Sequence, residues 1–141
     1  MRAVCCFDSD TNSCPVNDYL SQYYIEENDN KLVIKQKQNI LGNIDEKIRY
    51  AVQVQGRPEV GFLKSLKTFS FFEIRQRKNS KLLIRICYFR HYELIVLLHA
   101  FEKSDSYTDK KTKKEVDHEL KLANKYYHDF KSNPTLYEEY E

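Results

Sequence analysis

A chain of 141 residues, of which 41% are hydrophobic and 31% are charged, has the size and composition of one folded domain in water. It contains no apolar run long enough for a membrane-spanning helix, and its first residues lack the apolar segment and cleavage site of a secretory signal. These features exclude a membrane protein and predict a cytoplasmic one with no membrane partner.

The net charge of +2 conceals an uneven distribution along the chain. Residues 1–30 carry one basic and six acidic side chains, and residues 104–141 carry seven basic and nine acidic ones. Residues 31–103 between them carry fifteen basic and six acidic side chains. A basic middle indicates a surface that faces a polyanion, although a run of charge is more often a solvated face.

The first half predicts a strand followed by an antiparallel pair of helices. Residues 2–7 have the composition of a short strand. Pro15 suits a first helical position, and apolar residues recur at helical spacing after it to about Glu27. A polar break that ends at Asn30 precedes a longer amphipathic helix, which Gly56 and Pro58 terminate.

The second half changes to the alternation typical of strands. Three strands are predicted at residues 69–77, 82–89 and 92–101, joined by short turns into an antiparallel meander. A last helix is predicted from near Thr112 to Phe130. The fold class is therefore α+β in the order β-α-α-β-β-β-α, with a small twisted antiparallel sheet. Residues 1–130 are expected to form one domain, and residues 131–141 an acidic tail.

Cysteines and histidines do not predict a metal or cofactor site. The four cysteines form no CxxC pair, and buried thiols explain them better than disulfides do. The histidines lack the spacing of metal ligands; they are His91, His99, His118 and His128. We therefore expect no cofactor and no metal.

Three polar residues interrupt the apolar strands of the second half, and a fourth follows them. Arg75 and Arg85 lie in strands that should pair, His99 lies in the next strand, and Lys103 follows it closely. Because an unpaired charge is costly to bury, these side chains either pair with one another and with Glu73 or line a solvated anion site. Each one alone is better explained as structural. Together they outnumber the single nearby carboxylate, and this favours an anion site.

At this point the sequence resembles the HigB-like, phage-derived toxins of the RelE superfamily. Three runs are similar to successive strand motifs of that family: Phe72-Glu73-Ile74-Arg75, Arg85-Ile86-Cys87-Tyr88, and Leu97-Leu98-His99-Ala100-Phe101-Glu102-Lys103. The resemblance extends from about Val4 to Phe130, and the order of the short motifs carries its specificity. The chain departs from the family at Ser104, where a second lysine is usual, and at Phe72, where tryptophan is common.

The resemblance implies a RelE-like fold and a ribosome-dependent endoribonuclease that cuts messenger RNA without a metal. In that chemistry the ribose 2′-oxygen attacks the adjacent phosphate, a base takes its proton, and cations stabilise the phosphorane. Arg75 and Arg85 are the candidate phosphate ligands, with Lys103 as a further one, and His99 is the candidate proton-transfer group. Tyr88 would stack on a base or donate a proton, or else be structural in the core.

The implied partners are the ribosome with its messenger RNA, and a helix-turn-helix antitoxin of the HigA kind. DNA would be contacted only through that antitoxin. One hypothesis places the acidic residues 1–30 against the basic part of the antitoxin. Two other functions stay open: a toxin of the same fold that poisons another target, such as DNA gyrase, by binding, and a module that binds RNA or the ribosome without cutting.

Overall fold

The computed structural model describes residues 1–58, 61–104 and 110–140. These residues form β1 (Arg2–Cys6), α1 (Pro15–Leu20), a 3₁₀ turn (Ser21–Tyr23), α2 (Lys31–Gln53), β2 (Leu63–Ser65), β3 (Phe72–Arg77), β4 (Leu82–His91), β5 (Leu94–Ser104), α3 (Lys110–Ser132) and β6 (Tyr137–Glu139). The class is α+β, which confirms the coarse prediction. Within these ranges, no helix is long and apolar enough to cross a membrane.

The six strands form one mixed sheet in the order β2-β3-β4-β5-β1-β6. The predicted meander is present, since β3, β4 and β5 are antiparallel neighbours. The expectation of a wholly antiparallel sheet is wrong, because β1 runs parallel to β5. Ala3 and Cys5 join the core on one face of the sheet, whereas Val4 and Cys6 join the core on the other. This burial on both faces suits a strand between two neighbours.

Helices cover both faces of the sheet. The helices α1 and α2 cover one face with the buried side chains Val16, Leu20, Ile44, Ile48 and Ala51. The helix α3 covers the other face with Val116, Ala123, Tyr126 and Phe130. Alternation along the strands builds both cores, as Ile86 and Cys87 on β4 show by joining opposite ones.

Local chemistry sets where the first two helices begin and end. Pro15 begins α1 as predicted, but the helix ends at Leu20 and a 3₁₀ turn follows it, so the first helix is shorter than expected. Asn30 caps α2 by accepting a hydrogen bond from the Val33 amide over 2.9 Å. Gly56 follows the end of α2 at a φ of +81°, a left-handed conformation that favours glycine.

Two short edge strands were not predicted. The strand β2 pairs with β3, and β6 pairs with β1 so that Val4 lies opposite Glu139. The described part of the expected tail, residues 131–140, therefore completes α3 and adds an edge to the sheet. The Nε atom of Arg2 donates to Glu139 Oε1 over 2.6 Å, and Tyr140 packs against the core beneath α1 and α2. Strands of three residues are too short for alternation to reveal them.

Two glycine substitutions test the backbone conformations at Gly56 and Gly42. A Cβ atom on Gly56 would lie 3.1 Å from Ile95 Cδ1 and would hold alanine at a strained φ, so Gly56→Ala should destabilise the fold by more than about 1 kcal/mol. Gly42 lies within α2 with nothing within 4 Å of its Cβ position, so Gly42→Ala should stabilise by about 0.5–1 kcal/mol. Urea unfolding measures the free energy of unfolding of both variants. A change of the same sign in both would contradict the conformations assigned to these glycines.

Candidate functional site

Strands β3, β4 and β5 bring four predicted residues onto the sheet face that α3 covers. Arg75 on β3 lies directly opposite Arg85 on β4. His99 on β5 lies opposite Cys87, which belongs to the core beneath α3, and Lys103 lies opposite Leu83 of β4. Residues paired across strands share a face, as do residues two apart on one strand. The four cationic or titratable side chains are therefore on one side of the sheet.

A β-bulge decides the direction of His99. The pairing of β4 with β5 shifts between Cys87 and Tyr88, and Leu98 has no partner on β4. Leu98 and His99 consequently face α3 together, since Leu98 lies in that core and the His99 ring is 5.6 Å from the ring of Tyr126 on α3. Simple alternation would have placed His99 on the opposite face, and the bulge brings it to the arginines' side.

Glu73 is the carboxylate of the two arginines. It is fully buried, and its Oε1 accepts a hydrogen bond from Arg75 Nε over 2.6 Å and lies 4.0 Å from Arg85 Nη1. The side chain of Arg75 is 32% exposed, whereas that of Arg85 is 3% exposed. Formally the trio carries one positive charge. An anion from solvent would therefore reach Arg75 and not Arg85, its almost fully buried neighbour on β4.

The helix α3 adds two carboxylates that the sequence analysis did not count. Glu115 and Glu119 lie four residues apart, hence on one face of the helix. Glu115 Oε2 accepts from Lys103 Nζ over 2.7 Å, and Glu119 Oε2 is 2.5 Å from His99 Nε2. The expectation that the cations outnumber a single nearby carboxylate is therefore wrong. The four-residue spacing was visible in the sequence, but its alignment with β5 required the packing of α3.

His99 is enclosed by aromatic rings and is 12% exposed. Its ring stacks on Phe101 at 5.8 Å and meets Tyr126 edge-on at 5.6 Å. The Nδ1 atom is buried and has no hydrogen-bond partner among the described residues. An imidazole oriented by a carboxylate can transfer protons near neutral pH. In this conformation Nε2 faces Glu119 and Nδ1 is buried, so a substrate reaches His99 only when α3 gives way locally.

Tyr88 lies on the opposite face of the sheet. It is fully buried, its ring is 5.7 Å from that of Phe72, and its hydroxyl donates to the Gly56 carbonyl over 3.0 Å. Burial raises the pKa of this phenol. This position corrects the expectation that Tyr88 stacks on a base or donates a proton, because the sheet separates it from His99. Tyr88 instead links β4 by a hydrogen bond to the turn that follows α2.

Metal-binding and thiol chemistry find little support in the described ranges. They contain no group of three or more His, Cys, Asp or Glu side chains placed to hold a metal ion. The cysteines are buried and free, and burial raises the pKa of the Cys14 thiol to about 12 and that of Cys87 well above its usual value. Thiols of this kind are poor nucleophiles at neutral pH.

Comparison with known proteins gave no match, whether with protein-family models, curated proteins or solved structures. The chemistry of this face is therefore indicated by its own residues. These residues are two arginines around a buried carboxylate, and a histidine and a lysine that each contact a carboxylate of α3.

A pair of substitutions tests the role of Glu73. Glu73→Gln leaves two buried or half-buried guanidiniums opposite one another without their carboxylate and should destabilise the fold by about 3 kcal/mol. The matched control is Glu139→Gln, which removes an ion pair of the same 2.6 Å length at a 52% exposed position and should change stability little. Urea unfolding compares them. An equal loss of stability in the two variants would show that Glu73 does not stabilise the two arginines.

Proposed function

We propose that this protein is a RelE-like toxin of the HigB-like kind, an endoribonuclease that cuts messenger RNA on the ribosome. One observation carries the proposal: Arg75, Arg85, His99 and Lys103, which stand in the resembling motifs, come from three neighbouring strands onto one face of the sheet. A phosphate-binding and proton-transferring site needs this convergence, and separate structural roles do not.

The fold supports the proposal at the level of class and element order. The order predicted from the sequence, β-α-α-β-β-β-α, is present with the short strands β2 and β6 added to it, and the α+β class is the one that the proposal requires. The sheet lies between the α1 and α2 pair and α3, so the candidate site and the helix pair are on opposite sides.

Arg75 and Lys103 are the cations that a phosphate can approach, because their side chains are 32% and 25% exposed. The guanidinium fork of Arg75 suits two phosphate oxygens, and Lys103 adds a point charge. Arg85 is a positioning residue in this proposal, since it lies beside Arg75 on the neighbouring strand, is almost fully buried and is close to Glu73. Together they would stabilise the charge that develops on the phosphorane.

His99 would take the proton of the ribose 2′-hydroxyl. The 2′-oxygen then bonds to phosphorus, and the bond from phosphorus to the 5′-oxygen breaks. That oxygen takes a proton from water, and His99 returns to the solvent the proton that it removed. The products are a 2′,3′-cyclic phosphate and a 5′-hydroxyl end. Glu119 contacts His99 and Glu115 contacts Lys103. The ribose 2′-hydroxyl would therefore have to replace Glu119, and the phosphate would have to replace Glu115, when the RNA enters.

A second function is favoured by the charge balance of the same face. Arg75, His99 and Lys103 each contact a carboxylate, and Arg85 is almost wholly buried. Ion-pair networks of this kind are also structural. The alternative is therefore a protein that acts by binding and does not cut RNA. It would be either a toxin of the same fold that binds another target, such as DNA gyrase, or a module that binds RNA or the ribosome.

The proposal includes partners and a location. The ribosome and its message would be the targets in the cytoplasm, and a HigA-like helix-turn-helix antitoxin would neutralise the toxin and make the only contact with DNA. No cofactor takes part in the proposed cleavage.

Induced expression tests the cleavage proposal. The wild-type chain should arrest growth and produce new, ribosome-dependent 5′ ends in messenger RNA. His99→Ala should reduce the cleavage rate by about 100-fold or more, since a lost proton-transfer group costs that much, and Arg75→Ala should also protect the cells. Arg90→Ala on the exposed end of β4 is the matched control and should stay toxic. Arrest with intact messages would favour the binding function, and no arrest would contradict both.

The α3 carboxylates make a separate prediction. If Glu115 and Glu119 compete with phosphate, Glu115→Gln and Glu119→Gln should each strengthen binding of a short RNA by about fivefold, the effect of removing about 1 kcal/mol of charge competition. Asp117→Asn, an exposed carboxylate between them on α3, should have less effect. Fluorescence anisotropy at two salt concentrations measures this. Equal gains for all three would mean that only net charge matters.

A further inference from the structure

A concave surface lies on the other side of the sheet from the candidate site. It is a groove of about 790 Å³ lined by residues of α1 and its 3₁₀ turn, of α2, and of β6 with the residue after it. We call it the α1–α2 groove. Neither the proposed cleavage nor the packing of the core uses this space.

The charge of the α1–α2 groove is negative. Its charged lining residues are Asp18, Asp45, Glu138, Glu139 and Arg49. Two of the four carboxylates are paired with arginines, since Arg49 Nε lies 2.7 Å from Asp45 Oδ2 and Arg2 Nε lies 2.6 Å from Glu139 Oε1. Asp18 is exposed and pairs with no cation in the described part of the chain. The groove would therefore attract a cationic occupant and repel nucleic acid.

The lining also contains apolar side chains. Leu20 is buried, Leu41 and Tyr140 are half-buried, and Tyr24 presents a ring that is 51% exposed. A Cβ atom on Gly42 would meet no atom within 4 Å, so there is room above α2 at this point. A polyamine or another small hydrophilic cation would leave these apolar side chains uncovered. A side chain such as leucine would cover them.

We propose that the α1–α2 groove docks a basic, amphipathic helix of a partner protein. Apolar side chains of that helix would occupy the space above Gly42 and contact Leu20, Leu41 and Tyr24. Its lysines or arginines would face Asp18 and Glu138, because Glu139 is paired with Arg2. Helix-in-groove recognition uses this combination of apolar anchors at helical spacing and complementary charge. The inference stands on the groove alone and does not depend on the proposed ribonuclease activity.

Titration of the whole ¹⁵N-labelled chain with two synthetic helical peptides tests it. One peptide has leucines at i, i+3, i+4 and i+7 with lysines elsewhere, and the other has glutamates in place of the lysines. The Leu/Lys peptide should shift the amides of residues 17–24, 38–49 and 138–140. Gly42→Trp should weaken this binding at least tenfold by filling the groove, and Asp18→Lys should weaken it several-fold. Gly42→Ala is the matched control and should bind as the wild type does.

Several results would overturn the proposal. These are no shifts with the Leu/Lys peptide, shifts confined to the α3 face, or equal binding of the Leu/Glu peptide. Unaltered binding by Gly42→Trp, with its folding checked by circular dichroism, would exclude the groove as the site. Displacement of the peptide from the same amides by spermidine at comparable concentration would instead identify a site for small cations.

Discussion

The contact of Glu73 with Arg75 and Arg85 is the constraint on which the candidate site depends. The arginines lie directly opposite one another on β3 and β4, and like charges in such a pair repel unless a counter-charge lies between them. Glu73 supplies that charge from a fully buried position. It also helps to fix the register, because a slip of one residue would turn the arginines into the core beneath α1 and α2.

The helix α3 determines which contacts Lys103 and His99 make. It runs antiparallel along β5, so Glu115 and Glu119 meet Lys103 and His99 in turn. The same contacts that place these side chains also occupy the positions that an RNA substrate would need under the proposed function. Cleavage would therefore depend on how readily the first turns of α3 yield to a substrate. The direction of the His99 side chain depends on the β-bulge at Leu98, which turns it toward this face.

Much of the fold, and part of the site, could be predicted from the sequence. Periodicity predicts the main helices and strands, and the short turns predict the meander that pairs Arg75 with Arg85. The parallel pairing of β1 with β5 joins segments about ninety residues apart, and no local pattern encodes it. The side to which His99 points depends on the bulge, and the role of Tyr88 depends on which face of β4 is closed. The contacts of Glu119 required knowledge of how α3 packs.

The most direct test of the proposed cleavage uses purified protein, ribosomes that translate a defined message, and chemical analysis of the RNA ends. Cleavage as proposed should give fragments with a 2′,3′-cyclic phosphate on one side of the cut and a 5′-hydroxyl on the other, because the 2′-oxygen is the nucleophile. These ends should form about 100-fold more slowly or not at all when His99→Ala replaces the wild type. An intact message, or a cut that leaves a 3′-hydroxyl and a 5′-phosphate, would contradict the proposed cleavage.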